Sequence, residues 1–66
     1  MPLIQVSIMQ GRSEAQKSAF AAKVTVAACE TLDVKPEQVR VLINELPPQN
    51  WFVGGVAKAG PGPRGA

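Results

Sequence analysis

The stretch Leu3-Ile4-Gln5-Val6-Ser7-Ile8 sets the pattern on which the fold depends, because apolar and polar side chains alternate along it. One face carries Ile4, Val6 and Ile8, and the other carries Leu3, Gln5 and Ser7. A period of two predicts a half-buried strand. The same alternation returns in Val39-Arg40-Val41-Leu42-Ile43-Asn44, with Val39, Val41 and Ile43 on one face. The sequence therefore predicts two strands far apart in the chain.

A long helix is predicted between the two strands. Ser13 followed by Gln16 fits a capping box, in which the two side chains satisfy free N–H groups at a helix start. From Glu14 to about Leu32 there is neither Gly nor Pro. Apolar residues recur there at helical spacing as one stripe, namely Phe20, Val24, Ala27, Ala28 and Leu32. A strand, a helix and a strand in this order form a right-handed unit with parallel strands.

We therefore predict an α/β (α+β) fold made of a single β-α-β unit and completed by oligomerisation. The turn-rich segment 46–56 predicts a short C-terminal hairpin. We assign residues 1–58 to the β-α-β domain and residues 59–66 to a tail rich in Gly and Pro. Such a tail is expected to be unordered unless a partner holds it.

The size of the chain favours association with further subunits. A domain of 66 residues buries only about 60% of its unfolded surface, so small domains depend on disulfides, metals or oligomerisation. The single Cys29 cannot form an internal disulfide, and a chain without histidine excludes a zinc site of the usual Cys/His kind. Cys29 itself is expected to be a small buried or half-buried hydrophobic residue. Leu3 and Leu42 would also leave the second face of the sheet apolar and uncovered.

The charge pattern excludes a dedicated nucleic-acid binder. The formal net charge is +2, and the seven basic and five acidic residues are spread along the chain. A nucleic-acid interface clusters Lys and Arg on one face and interleaves aromatic residues for stacking. No secretory signal precedes the first strand, and no apolar run approaches the roughly 20 residues of a membrane span. We expect a cytoplasmic protein.

Pro2 is the strongest candidate for a catalytic residue. If Met1 is removed, its secondary amine becomes the N-terminus, and an α-amino group has a pKa of roughly 7.7–8.0. A modest downward shift of that pKa would give a neutral base at cellular pH. Taken alone, Pro2 fits the start of a strand far better than a catalytic role, because its missing N–H costs little there.

The chain resembles 4-oxalocrotonate tautomerase and its close relatives in the tautomerase superfamily. The resemblance rests on Pro2 opening a strand, Gly11-Arg12-Ser13 with Gln16-Lys17 at the helix start, Arg40 within Val39-Arg40-Val41, and Gly54-Gly55 after an aromatic residue. It implies that Pro2 is the general base and acid and that Arg12 and Arg40 are anion-binding and electrophilic groups. Trp51 stands where the family usually has a phenylalanine lining the pocket. Short members of the family assemble as hexamers, usually trimers of dimers, and some pair two unlike chains.

The activity implied by the resemblance is an isomerase that converts enols to ketones. The substrate would be 2-hydroxymuconate or a similar 2-oxo acid or dienol carboxylate, as in aromatic degradation, and no cofactor or metal would be needed. A base near neutral pKa and a cation beside the growing enolate charge suit this reaction, and planar guanidinium groups bind carboxylates in bidentate fashion. Nearby arginines and an apolar pocket should both lower the pKa of the Pro2 amine.

The chain departs from the family pattern at several positions, and two other functions stay open. Phe52 replaces what is commonly a glycine, and Gln10 stands where an acidic residue is usual. One alternative is hydration or dehalogenation of a haloacrylate, for which Glu45 is the acidic residue available near the end of the second strand. Another is a non-catalytic oligomeric module in which Pro2 has only a structural part.

Overall fold

The computed structural model describes residues 1–59 and confirms the predicted fold class. A strand, a long helix and a second strand are followed by a short antiparallel hairpin, and single 3-10 turns precede and follow the second strand. The elements are β1 Leu3–Met9, α1 Glu14–Leu32, a turn Pro36–Gln38, β2 Arg40–Leu46, a turn Pro48–Asn50, β3 Phe52–Val53 and β4 Val56–Ala57.

The two long strands pair in parallel along their whole length. Leu3 lies opposite Arg40 at one end, and Met9 lies opposite Leu46 at the other. The backbone ladder continues past both ends, since the Arg40 N–H donates to the Pro2 carbonyl at 3.0 Å and the Gln10 N–H donates to the Leu46 carbonyl at 2.9 Å. The register therefore fixes the backbone at both ends of β1.

The predicted capping box starts α1. The Gln16 N–H donates to Ser13 Oγ at 3.1 Å, and the Ser13 N–H donates to Gln16 Oε1 at 2.9 Å. Gly11 precedes the cap with φ of 128°, a conformation that residues with a Cβ rarely adopt. The chain can thus leave β1 and enter α1 within a few residues.

The face of α1 that packs on the sheet differs from the predicted stripe. Ala28 is buried and Val24 is half-buried, as expected, but Phe20 is 43% exposed and Leu32 is 58% exposed. Ala27 is exposed as well. The packed face runs through Ala21, Val24 and Ala28 with Cys29 beside it, because a sheet of two strands covers only a narrow arc of a helix. Cys29 is half-buried, as predicted.

The second face of the sheet is uncovered in the single chain. Leu3 is 56% exposed and Leu42 is 52% exposed, and Arg40 lies on the same face. Among residues 1–59, Ala28 and Ala59 are the only hydrophobic residues that are buried. We call the surface formed by Leu3, Arg40 and Leu42 the open face.

The C-terminal hairpin is present. Phe52 pairs with Ala57, and Val53 pairs with Val56. The two turn residues, Gly54 and Gly55, have φ of 61° and 84°, as the tight turns that match strand twist require. Of the predicted tail, Ala59 is buried, and residues 60–66 lie outside the described part of the chain. Within residues 1–59, no helix has the length and apolarity needed to cross a membrane.

Candidate active site

At the amino end of the sheet, Pro2 and Arg40 are joined through the backbone. Pro2 is half-buried, and its carbonyl accepts the N–H of Arg40. Side chains alternate along a strand, so Pro2 lies on the helix side with Ile4, whereas Arg40 lies on the open face with its register partner Leu3. The structure thus brings Pro2 and Arg40 to the same end of the sheet but on different faces.

The Arg40 side chain is held by the turn that precedes β2. Arg40 Nη1 donates to the Glu37 carbonyl at 2.9 Å. The turn is closed by the Lys35 N–H, which donates to Gln38 Oε1 at 2.9 Å. No pattern of residue types predicts this contact, because its acceptor is a backbone atom in an irregular segment. Within residues 1–59, the Arg40 guanidinium makes this one hydrogen bond, and a guanidinium has five N–H donors, so further donors stay available.

At the carboxyl end of the sheet, Arg12 lines an apolar cavity of about 330 Å³. The cavity lies between α1 and the sheet and is lined by Val6, Ile8, Phe20, Ile43, Arg12, Gln16 and Lys17. Within residues 1–59, no hydrogen bond or ion pair involves the Arg12 guanidinium. A guanidinium stays charged at any ordinary pH, so Arg12 offers a free anion-binding group beside an apolar space.

The second cation of this cavity, Lys17, is bound by two carboxylates. Lys17 Nζ lies 3.1 Å from Glu45 Oε1 and 3.4 Å from Glu14 Oε2. The hydrogen bond that Lys17 donates to Glu45, and then the charges of the two carboxylates, raise the pKa of Lys17 above its ordinary value of 10.5. Lys17 is therefore protonated at neutral pH, and its interactions with the carboxylates are lost only as the pH rises through that raised pKa.

One chain does not bring Pro2 and Arg12 together. They flank opposite ends of β1, and its seven residues span about 23 Å at the usual rise of a strand. Trp51 also follows the carboxyl end of β2, where it is half-buried and its carbonyl accepts the Lys58 N–H at 2.7 Å. Phe52 is exposed beside it. Of the predicted site residues, Pro2 and Arg40 are joined by a backbone hydrogen bond, at the end of the sheet opposite to Arg12.

The sequence of residues 2–59 matches a family model described as "Tautomerase enzyme". The chain belongs to the tautomerase family. This tautomerase is 42% identical over 57 residues to a 2-hydroxymuconate tautomerase of Comamonas testosteroni, with 86% of this chain and 90% of that protein covered.

Solved structures of the family share its fold closely. One is TomN, a 4-oxalocrotonate tautomerase homologue in the tomaymycin biosynthetic pathway, with a TM-score of 0.86, 46% identity and coverage of 88% of this chain and 89% of TomN. Another is a heterohexameric 4-oxalocrotonate tautomerase from Chloroflexus aurantiacus J-10-fl, with a TM-score of 0.86, 39% identity and coverage of 89% and 95%. These likenesses agree with the resemblance found in the sequence.

Proposed function

We propose that this tautomerase converts enols to ketones in 2-hydroxymuconate-like carboxylates, with the amine of Pro2 as the group that moves the proton. The observation that carries the proposal is the Arg12 guanidinium beside the apolar cavity. Within residues 1–59 it has no hydrogen bond or ion pair, so it offers a carboxylate a charged partner, and the cavity offers the carbon chain an apolar surface. The named 2-hydroxymuconate tautomerase relative supports the same substrate class.

The proposed reaction is a proton transfer without a cofactor. The neutral amine of Pro2 takes the proton from the 2-hydroxyl of the dienol, the oxygen becomes a carbonyl as the double bonds shift, and the protonated amine gives a proton to a distal carbon. Arg40 lies near the 1-carboxylate and the 2-oxygen and stabilises the negative charge that develops there. Arg12 binds the distal carboxylate, and Trp51 lines the pocket.

The proposed site is shared between subunits. Because about 23 Å of strand separates Pro2 from Arg12 in one chain, a substrate the size of a muconate needs these two residues from different copies. The apolar open face favours association through the sheet. We propose a homo-oligomer of this chain, a hexamer arranged as a trimer of dimers. The Chloroflexus relative, a heterohexamer, gives a precedent for a second, unlike chain in the assembly.

The haloacrylate reaction is less well supported. It needs a carboxylate free to activate water, and the Glu45 carboxylate is instead paired with Lys17 Nζ at 3.1 Å. The physiological substrate also need not belong to aromatic degradation, since TomN acts within a biosynthetic pathway. The proposal therefore concerns the type of reaction and the carboxylate class.

The test compares a diacid with a monoacid. The protein, first checked by intact mass for removal of Met1, is assayed by ultraviolet absorbance with 2-hydroxymuconate and with phenylenolpyruvate. Pro2→Ala should lower kcat/KM for both substrates by about 100-fold, because general acid–base catalysis contributes at least that much. Arg12→Ala should raise KM for the diacid alone, since only the diacid has a distal carboxylate.

The outcomes separate the competing functions. Unchanged rates in Pro2→Ala would remove Pro2 from the mechanism. Retention of Met1 in the natural protein, together with absence of turnover for either enol, would favour the non-catalytic module, because a peptide bond abolishes the basicity of the Pro2 nitrogen.

A further inference from the structure

The loop that carries Arg12 is fixed at both ends by backbone contacts. At the start of the loop, the Gln10 N–H donates to the Leu46 carbonyl. At its end, Ser13 forms the capping box, and the Ser13 carbonyl accepts the Lys17 N–H at 3.0 Å. These contacts place the Arg12 backbone beside the cavity. They do not decide which anion the exposed guanidinium binds.

A carboxylate of the protein itself lies close to the same cavity. Glu45 is the register partner of Ile8, and Ile8 lines the cavity together with Arg12. The Glu45 side chain is 34% exposed, so water screens its charge only in part. Without another partner, this carboxylate would be a candidate to pair with Arg12 and so to compete with a substrate carboxylate for it.

Lys17 forms an ion pair with the Glu45 carboxylate. Its ammonium group reaches from the first turn of α1 to Glu45 at 3.1 Å, and the Lys17 side chain is only 18% exposed. Glu14, the other carboxylate on Lys17, is 94% exposed and is therefore largely screened by solvent. The half-buried Lys17–Glu45 pair is thus the stronger of the two contacts, and its lysine lines the cavity together with Arg12.

We propose that Lys17 is a positioning residue for Arg12: by holding Glu45, it keeps that carboxylate away from the Arg12 guanidinium and leaves the guanidinium free for the distal carboxylate of a diacid substrate. This inference rests on the proposed function. It assigns diacid specificity to a pair of residues 28 positions apart in the chain that act through Arg12.

Lys17→Met tests the proposal, because methionine keeps an unbranched apolar side chain and removes the charge. Glu45 is then free to pair with Arg12, and KM for 2-hydroxymuconate should rise about fivefold, as expected for one competing ion pair at a partly exposed site. KM for phenylenolpyruvate and kcat for both substrates should change by less than about twofold. Lys23→Met, an exposed lysine of the same helix, is the matched control and should change neither.

A double variant separates this role from a merely structural one. Lys17→Met with Glu45→Gln removes the competing charge along with its partner, so KM for the diacid should return to the wild-type value. A structural ion pair would show no such rescue. Equal increases of KM for both substrates in Lys17→Met, or failure of Glu45→Gln to restore diacid binding, would overturn the proposal.

The single variant Glu45→Gln tests the proposal in case Lys17→Met fails to fold. If Lys17→Met does not assemble by size-exclusion chromatography, Glu45→Gln alone decides: a KM for the diacid equal to or below the wild-type value supports the proposal, and a higher KM overturns it. The proposed function fails separately, since it requires Pro2→Ala to lose turnover. An increase of diacid KM in Arg12→Ala without one in Lys17→Met would overturn only the present inference.

Discussion

The two ends of the parallel sheet are built in different ways. At the amino end, backbone hydrogen bonds join Pro2 to Arg40, and Arg40 is held by a backbone carbonyl of the preceding turn. At the carboxyl end, side-chain contacts predominate: Gln16 of the capping box and Lys17 of the Lys17–Glu45 pair line an apolar cavity together with Arg12, whose guanidinium has no partner within residues 1–59.

This difference shows why neither end is a complete site by itself. The amino end carries the proposed base, the carboxyl end carries a cavity with an anion-binding group, and about 23 Å of strand separates the two. Enolisation needs both within a few ångströms of one substrate. The proposed site therefore forms where the amino end of one copy meets the carboxyl end of another.

The largest effect is expected when the two ends are inactivated in different subunits. Oligomers of Pro2→Ala subunits alone lack the base, and oligomers of Arg12→Ala subunits alone bind the diacid poorly. Co-expressed with different affinity tags and purified as mixed oligomers, they should regain diacid turnover, with about a quarter of sites pairing two intact residues if subunits mix at random. Turnover equal to the mean of the two parents would place Pro2 and Arg12 of each site in one subunit.

A charge on the open face should separate the two ends of neighbouring copies. Leu42→Lys puts a cation among exposed apolar side chains, and burying it unpaired in an interface costs several kcal/mol. We expect a smaller assembly by analytical ultracentrifugation and loss of turnover for both substrates. Gln49→Lys, at an exposed position of the turn after β2, serves as the control. A Leu42→Lys variant of unchanged mass and activity would show that the open face is not a subunit contact.

The smallest effect concerns the local structure of the carboxyl end. Ser13→Ala removes the hydroxyl that accepts the Gln16 N–H and should lower the free energy of unfolding by about 1 kcal/mol. Chemical denaturation at one fixed protein concentration measures it, with Ser18→Ala as the control on an exposed helical position. A loss no greater than that of the control would mean that the backbone turn at Gly11, rather than the cap, holds the start of α1.

Local patterns predicted most of the fold. The alternating stretches 3–8 and 39–44, the Ser13–Gln16 cap and the turn-rich segment 46–56 each depend on near neighbours in sequence. The structure contains the two strands, the cap and the hairpin, with β2 at Arg40–Leu46. The helix stripe was predicted less well, because which arc of α1 packs depends on the width of the sheet. Phe20 is thus exposed at the rim of the cavity instead of lying in the core.

The candidate site was predicted only as a set of residues. Pro2 was singled out by the chemistry of its amine, and Arg12 and Arg40 by the resemblance to the tautomerase family, but the separation of these residues into two ends follows from the length of β1 and the direction of β2. The Lys17–Glu45 pair joins residues from different elements, and the acceptor of Arg40 is a main-chain atom. Neither contact leaves a periodic signal in the sequence.

The length of β1 also makes the activity per chain depend on protein concentration. On the proposed mechanism, an isolated chain carries parts of two different sites and turns over no substrate, because about 23 Å of strand keeps its own base from its own Arg12. Activity then grows more steeply than protein concentration until assembly is complete, by mass action. A cell that makes little of this chain would have almost no enzyme.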